Sequence, residues 1–174
     1  MNRQTLRLAC IIAGLCLCLG VAASRALRAQ SAPPQQKETN VSHRASGPFD
    51  VKLIPQIPEQ AVADSGVNRF LSDKQFHGDL EATSKGQMLG YGDPAKGSAV
   101  YVAIEHVSGT LGGRTGTFAL QHAGTITRQG QQLSITVVPD SGTGQLAGLA
   151  GSMSIQIDKG KHSYTFDYTL PAAP

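Results

Sequence analysis

From Pro48 onward the chain alternates apolar and polar positions with a period of two, and glycine or proline cuts the alternation at short intervals. That period belongs to half-buried β-strands, and the i, i+3, i+4, i+7 spacing of an amphipathic helix does not occur. "PFDVKLI" (residues 48–54) predicts a first strand, followed by the proline-broken connection "PQIPEQAVADSG". Residues 67–92 are long enough for one or two strands. Within them Phe76, Gly78, Leu80, Ala82, Ser84, Gly86 and Met88 are apolar or small, while Asp79, Glu81, Thr83 and Lys85 are polar. "DPAKG" is turn chemistry. Beyond it come "SAVYVAIEHVSGTL", "RTGTFALQHAGTITR", "QQLSITVVP", the loop "DSGTGQLAGLAG", "SMSIQID" and "KHSYTFDYTL". The separators Gly112-Gly113, Gln129-Gly130 and Lys159-Gly160 are two-residue hairpin turns.

Register tests this reading. A turn at Gly112-Gly113 pairs Leu111 with Arg114, Val107 with Phe118, Glu105 with Leu120 and Ala103 with His122. One face then carries Tyr101, Ala103, Glu105, Val107, Leu111, Phe118, Leu120 and His122. A turn at Gln129-Gly130 pairs Ile126 with Leu133 and Gly124 with Ile135, with His122 opposite Val137. The last hairpin pairs Ile157 with His162, Ile155 with Tyr164 and Met153 with Phe166. Each turn gathers apolar residues on a single face, as a real sheet requires. The many glycines of residues 108–126 therefore serve turns and curvature, with Gly109 opposite Gly116. A phosphate loop needs a helix N-terminus after its glycines, and none follows here or after "GTGQLAGLAG".

Composition changes the picture at the N-terminus. Arg3 and Arg7 precede the sixteen apolar or small residues 8–23, and Val21-Ala22-Ala23 suits a signal peptidase cutting before Ser24. The run is short for a spanning helix, which needs about 20 residues. Cys16 and Cys18 each follow leucine, which argues against lipidation. All three cysteines (Cys10, Cys16, Cys18) lie in this leader, leaving the exported chain no disulfide, thiolate metal site or cysteine nucleophile. Without Arg3 and Arg7 the 15 basic residues become 13 against 12 acidic, a net +1. That balance favours neither nucleic acid nor an anionic membrane as partner. Residues 24–46, rich in Ala, Gln, Pro and Ser, read as a disordered linker. The domain is expected over 47–170 with a short tail at 171–174, in a periplasmic or secreted location.

The blocks "FDVKLIPQ", "DKQFHGDLEATSKGQML", "GSAVYVAIEHVSGTLGGRTGTFALQHAGT", "LSITVVPDSGTGQLAGLAGSMSI" and "GKHSYTFDYTL" resemble an uncharacterised bacterial family with a domain-of-unknown-function label. The resemblance implies an all-β fold: a closed, eight-stranded, mostly up-and-down antiparallel barrel of the allene-oxide-cyclase-like kind. It implies no activity, since fold does not carry function. The exported leader departs from the family pattern. A barrel of about eight strands has an interior filled by side chains or wide enough for one small ligand.

On the predicted inner face, polar groups interrupt an apolar wall. Glu105 and His122 stand diagonally within reach of each other. They are a buried hydrogen-bonded pair that fixes strand register, a ligand-orienting pair or the candidate acid–base pair, the last because an apolar lumen raises a carboxyl pKa unless a histidinium holds it charged. Tyr101, Glu105, Phe118, His122, Tyr164 and Tyr168 are the candidate ligand wall. His162 shares that face, while His77 is expected on the outer face and His43 in the linker. No histidine pair has metal-ligand spacing, so neither a metal nor another cofactor is expected. Asp140-Ser141 lacks a nucleophile elbow. Arg114 sits at one barrel end, against a ligand carboxylate or simply capping the rim. Three functions compete: a barrel binding a small, largely apolar molecule, a cyclase or isomerase using the same lumen, and a structural module with a packed lumen. Val100, Val102 and Ile104 make the outer face of the central strand apolar enough to expect cover from a homo-oligomer or another segment.

Overall fold

The computed structural model of the chain describes residues 41–57 and 59–172. The expected leader and residues 24–40 of the expected linker lie outside them. Eight strands follow in order: β1 (Val41–Gln56), β2 (Val67–Phe76), β3 (Leu80–Asp93), β4 (Ser98–Leu111), β5 (Arg114–Thr127), β6 (Gly130–Val137), β7 (Ala150–Asp158) and β8 (Lys161–Leu170). Each pairs antiparallel with the next, and β1 pairs with β8, which closes an up-and-down barrel. Closure removes the sheet edges that an open meander of this length would expose.

The predicted hairpins at Gly112-Gly113 and Lys159-Gly160 are present in the stated registers, Leu111 opposite Arg114 and Asp158 opposite Lys161. Both turns run through positive φ (55° and 81°, 50° and 79°), the left-handed conformation in which glycine is unstrained. Residues 67–92 form two strands, turning at residues 77–79. Two expectations need correction. The β5–β6 turn lies at Arg128-Gln129, so His122 faces Ile135 and Gly124 faces Leu133, two residues from the expected pairing. An even slip keeps every side chain on its face, and the inner wall is therefore unchanged.

The second concerns the expected linker, which is already strand from Val41. Strand β1 begins at Val41 and pairs with β8 from Val41↔Leu170 to Phe49↔His162, then with β2 from Phe49↔Phe76 onward. Residues 41–46 lack an apolar period because backbone pairing and cross-strand contacts hold them. Arg44 is bidentate to Asp167 at 2.6 and 2.9 Å, and His43 stacks on Tyr168 with ring centroids 5.1 Å apart.

The core fills only one half of the barrel, the end holding the β2–β3 and β4–β5 turns. Phe76, Leu80, Val107, Leu111, Phe118, Leu120, Phe166 and Leu170 are all buried there. The long β6–β7 loop folds across this end, inserting Leu146 and Leu149 as a plug. Its backbone continues the ladder on β5, with Val138 N donating to Ala119 O and Thr143 N to Thr117 O. Ser141 Oγ accepts from Ala119 N and donates to Val138 O, which gives the loop serine a structural task. Gly116 makes the plug possible: a Cβ there would lie 2.1 Å from Thr143 O.

Candidate functional site

Alternation places one inward side chain from each strand at each level of the barrel. At mid-height the inward positions of β2, β3, β4 and β5 are Lys74, Ser84, Glu105 and His122, all buried. They meet. Glu105 Oε1 lies 3.1 Å from His122 Nε2. Its other oxygen accepts from Ser84 Oγ at 2.9 Å and from Lys74 Nζ at 2.8 Å. The Lys74 ammonium also sits 5.7 Å from the centroids of the Phe49 and Phe76 rings, a cation–π arrangement on two faces.

The electrostatics follow from these contacts. Burial alone pushes the Glu105 carboxyl up. The hydrogen bond with His122 and the Lys74 charge outweigh it and bring the pKa down from 4.5 to about 2. The sequence suggested a carboxyl raised by its lumen unless a histidinium held it. The buried lysine joins the histidine in holding it. A carboxylate with so low a pKa is a poor proton acceptor at neutral pH, which weakens the acid–base role expected of Glu105. Side-chain polar atoms buried among the described residues all have partners. The cluster is a satisfied network, which charges in a low-dielectric interior require.

Tyr101 stands two inward positions beyond Glu105 on β4, toward the other end. Burial and the Glu105 charge push its phenol pKa up. Its ring lies flat over Gly124, where a Cβ would come within 2.1 Å of Tyr101 Cε1. The structure thus gathers Tyr101, Glu105 and His122. It sets Phe118, Tyr164 and Tyr168 apart from them, in the packed half. Phe118 stacks with Phe166 at 5.9 Å. The Tyr164 hydroxyl accepts from Leu80 N at 2.9 Å and donates to His77 O at 3.1 Å, pinning the β2–β3 turn. Burial pushes its pKa up, as it does for Tyr168. Arg114 caps the rim, with Nη1 donating to Pro171 O. His77 is an exposed turn residue 3.4 Å from Glu81, not a strand residue, and Asp79 takes the Ser46 N–H instead.

Sequence reasoning missed Lys74. It lies in "LSDKQF" beside Asp73, where a lysine reads as solvated. Two signals pointed inward: it shares parity with Phe70 and Phe76, and an inward glutamate calls for a buried cation.

Above Tyr101 the barrel is open. Leu53, Leu133 and Ile157 carry inward parity, yet they are 48%, 42% and 66% exposed. They lie at the end away from the Leu146 and Leu149 plug, and their exposure marks it as a mouth. A second concavity lies on the outer wall, lined mainly by outward residues of β2–β6 such as Leu71, Leu89, Val102 and Ile104. The lumen is the better candidate site because its polar groups are buried and meet one another beneath an apolar wall, whereas Arg69, Lys85, Gln87 and Gln121 of the outer concavity lie on the outer surface.

A closed all-β barrel, packed at one end and open at the other above a buried ionic cluster, is the class this fold and site define. Residues 45–168 match the family model described as "Protein of unknown function (DUF3224)", and the chain belongs to that family. A solved structure of a DUF3224-family protein of unknown function from Shewanella oneidensis MR-1 is 47% identical, with a TM-score of 0.67. The match covers 74% of this chain and 97% of that one. No curated protein matches.

Proposed function

We propose that this protein is an exported barrel that binds a small, largely apolar molecule in the open half of its lumen. The observation that carries the reading is the exposure of the inward-facing Leu53, Leu133 and Ile157 at the end away from the Leu146 and Leu149 plug. Exposed apolar area inside a concavity gains by being covered, at roughly 25 cal/mol per Å² removed from water. The Glu105–His122–Lys74 cluster forms the floor of the cup, and the half-buried Tyr101 hydroxyl supplies an orienting group above it. The low Glu105 pKa favours binding over proton transfer. A wholly packed structural module would leave the open end unexplained. We also propose that a second copy covers the apolar outer face of β2–β4, where Val100, Val102 and Ile104 are about half exposed.

Native mass spectrometry of protein purified from its own host tests both parts. The expected result is a dimer or larger assembly carrying a bound small molecule, lost when Ala103→Trp fills the lumen. A bare chain that also fails to take up an apolar fluorescent probe would end the binding reading. A monomeric mass at micromolar concentration would end the second.

A further inference from the structure

The barrel wall is not equally closed all the way round. Strands β6 and β7 share a single register pair, Thr136↔Ser152. Each is otherwise in place: β6 ladders with β5 from Thr127↔Gly130 to Leu120↔Val137, and β7 with β8 along its whole length. The seam between them is what parts. The shared pair lies at the plugged end of both strands, so the stretch from Ser134 and Ser154 to the mouth has no register pair. Burial falls off along the same stretch: Ile135 and Met153, beside the shared pair, are buried; Ile155 is partly so; Leu133 and Ile157, further up, are exposed. The seam's lower end is level with the ionic cluster, since Ile135 pairs with His122. Between the shared pair and the mouth the inward residues Leu133, Ile135, Met153, Ile155 and Ile157 are apolar and the outward ones (Gln132, Ser134, Ser154, Gln156) are uncharged, with Gln131 and Asp158 ending the lips at the rim. An apolar molecule sliding between such lips strips no ion of its water.

We infer that the β6–β7 seam is a lateral portal of the lumen, taking an elongated, uncharged apolar molecule that lies along the slit with one end near Tyr101 and His122. The inference rests on the lumen-binding reading above. A mouth at the end of a barrel admits a compact molecule. A slit running down the wall lets a long one enter sideways and leaves room for the part that the half-filled lumen cannot hold.

Continuing the Thr136↔Ser152 register would set Ser134 opposite Ser154. A disulfide there draws the lips together, because it demands Cα atoms about 4.4–6.8 Å apart. The test uses the full chain with Cys10, Cys16 and Cys18 changed to Ser, carrying Ser134→Cys and Ser154→Cys. Two neutral fluorescent probes are followed, rod-shaped diphenylhexatriene and compact N-phenyl-1-naphthylamine. Oxidation should slow uptake of the rod by about tenfold, reversibly with dithiothreitol, and alter the compact probe by less than about twofold. A staple that forms fully and leaves both rates unchanged overturns the portal while lumen binding survives. Failure of either probe to bind in either state removes lumen binding, and the portal with it. Should the thiols stay reduced, amide exchange decides: seam-facing amides of β6 and β7 must exchange much faster than those of the β4–β5 ladder. Slow exchange there, whether from a closed seam or from edge pairing with a second copy, overturns the portal.

Discussion

The two ends of this barrel are built from the same strands and serve different ends of the same problem. At the plugged end, Phe76, Leu111, Phe118, Phe166 and Leu146 close the interior, and Tyr164 ties the β2–β3 turn to β8. At the mouth, inward positions are held by Gly90, Tyr101, Gly124, Leu133 and Ile157, too small or too widely spaced to meet across the lumen. The ionic cluster marks the boundary. Below it the inward groups pack against one another as far as Ala45 and Leu170; above it inward apolar residues reach solvent. Stability is therefore concentrated at one end, and the other end is free to be shaped for binding.

Substitutions sharpen that contrast. Phe166→Ala empties a wholly buried site and should cost about 4 kcal/mol in urea unfolding. A cost under about 1 kcal/mol would mean that this end is not the stabilising one. Lys74→Met comes next, at about 3 kcal/mol, because it strands a buried carboxylate. The same contact predicts a pH window. The folded pKa of Glu105, about 2, lies below the ordinary 4.5, so its stabilisation is complete above pH 4.5 and is lost as pH falls through 2. In Lys74→Met the stabilisation should be smaller and its loss complete at a higher pH, since the folded pKa rises once the cationic pull has gone. Unchanged acid unfolding in that variant would show that the ammonium does not hold the carboxylate. The smallest effect belongs to the mouth. Ile157→Ala should change stability by no more than about 0.5 kcal/mol while weakening probe binding. The reverse pattern would make the mouth part of the core.

Much of this fold was legible in the sequence. Period-two alternation and glycine turns are local signals, and they sorted Tyr101, Glu105, Phe118, Leu120 and His122 onto one inner face. The misplacement of the β5–β6 turn cost nothing, because a two-residue slip preserves parity. Residues 41–46 were illegible as a strand. Their order comes from pairing with β8, more than a hundred residues away, and "VSHRAS" carries no apolar period to announce it. Lys74 was hidden for a related reason, since its partner lies on β4 and local context marks a lysine as exposed.

The sequence by itself determined which side chains look inward and which hairpins join, because both depend on residues a few positions apart. Only the tertiary structure decided which end is plugged, which inward residues meet across the lumen and where the wall parts. Those outcomes depend on distances across the closed cylinder and on where one long loop folds back, and neither is written in any local pattern.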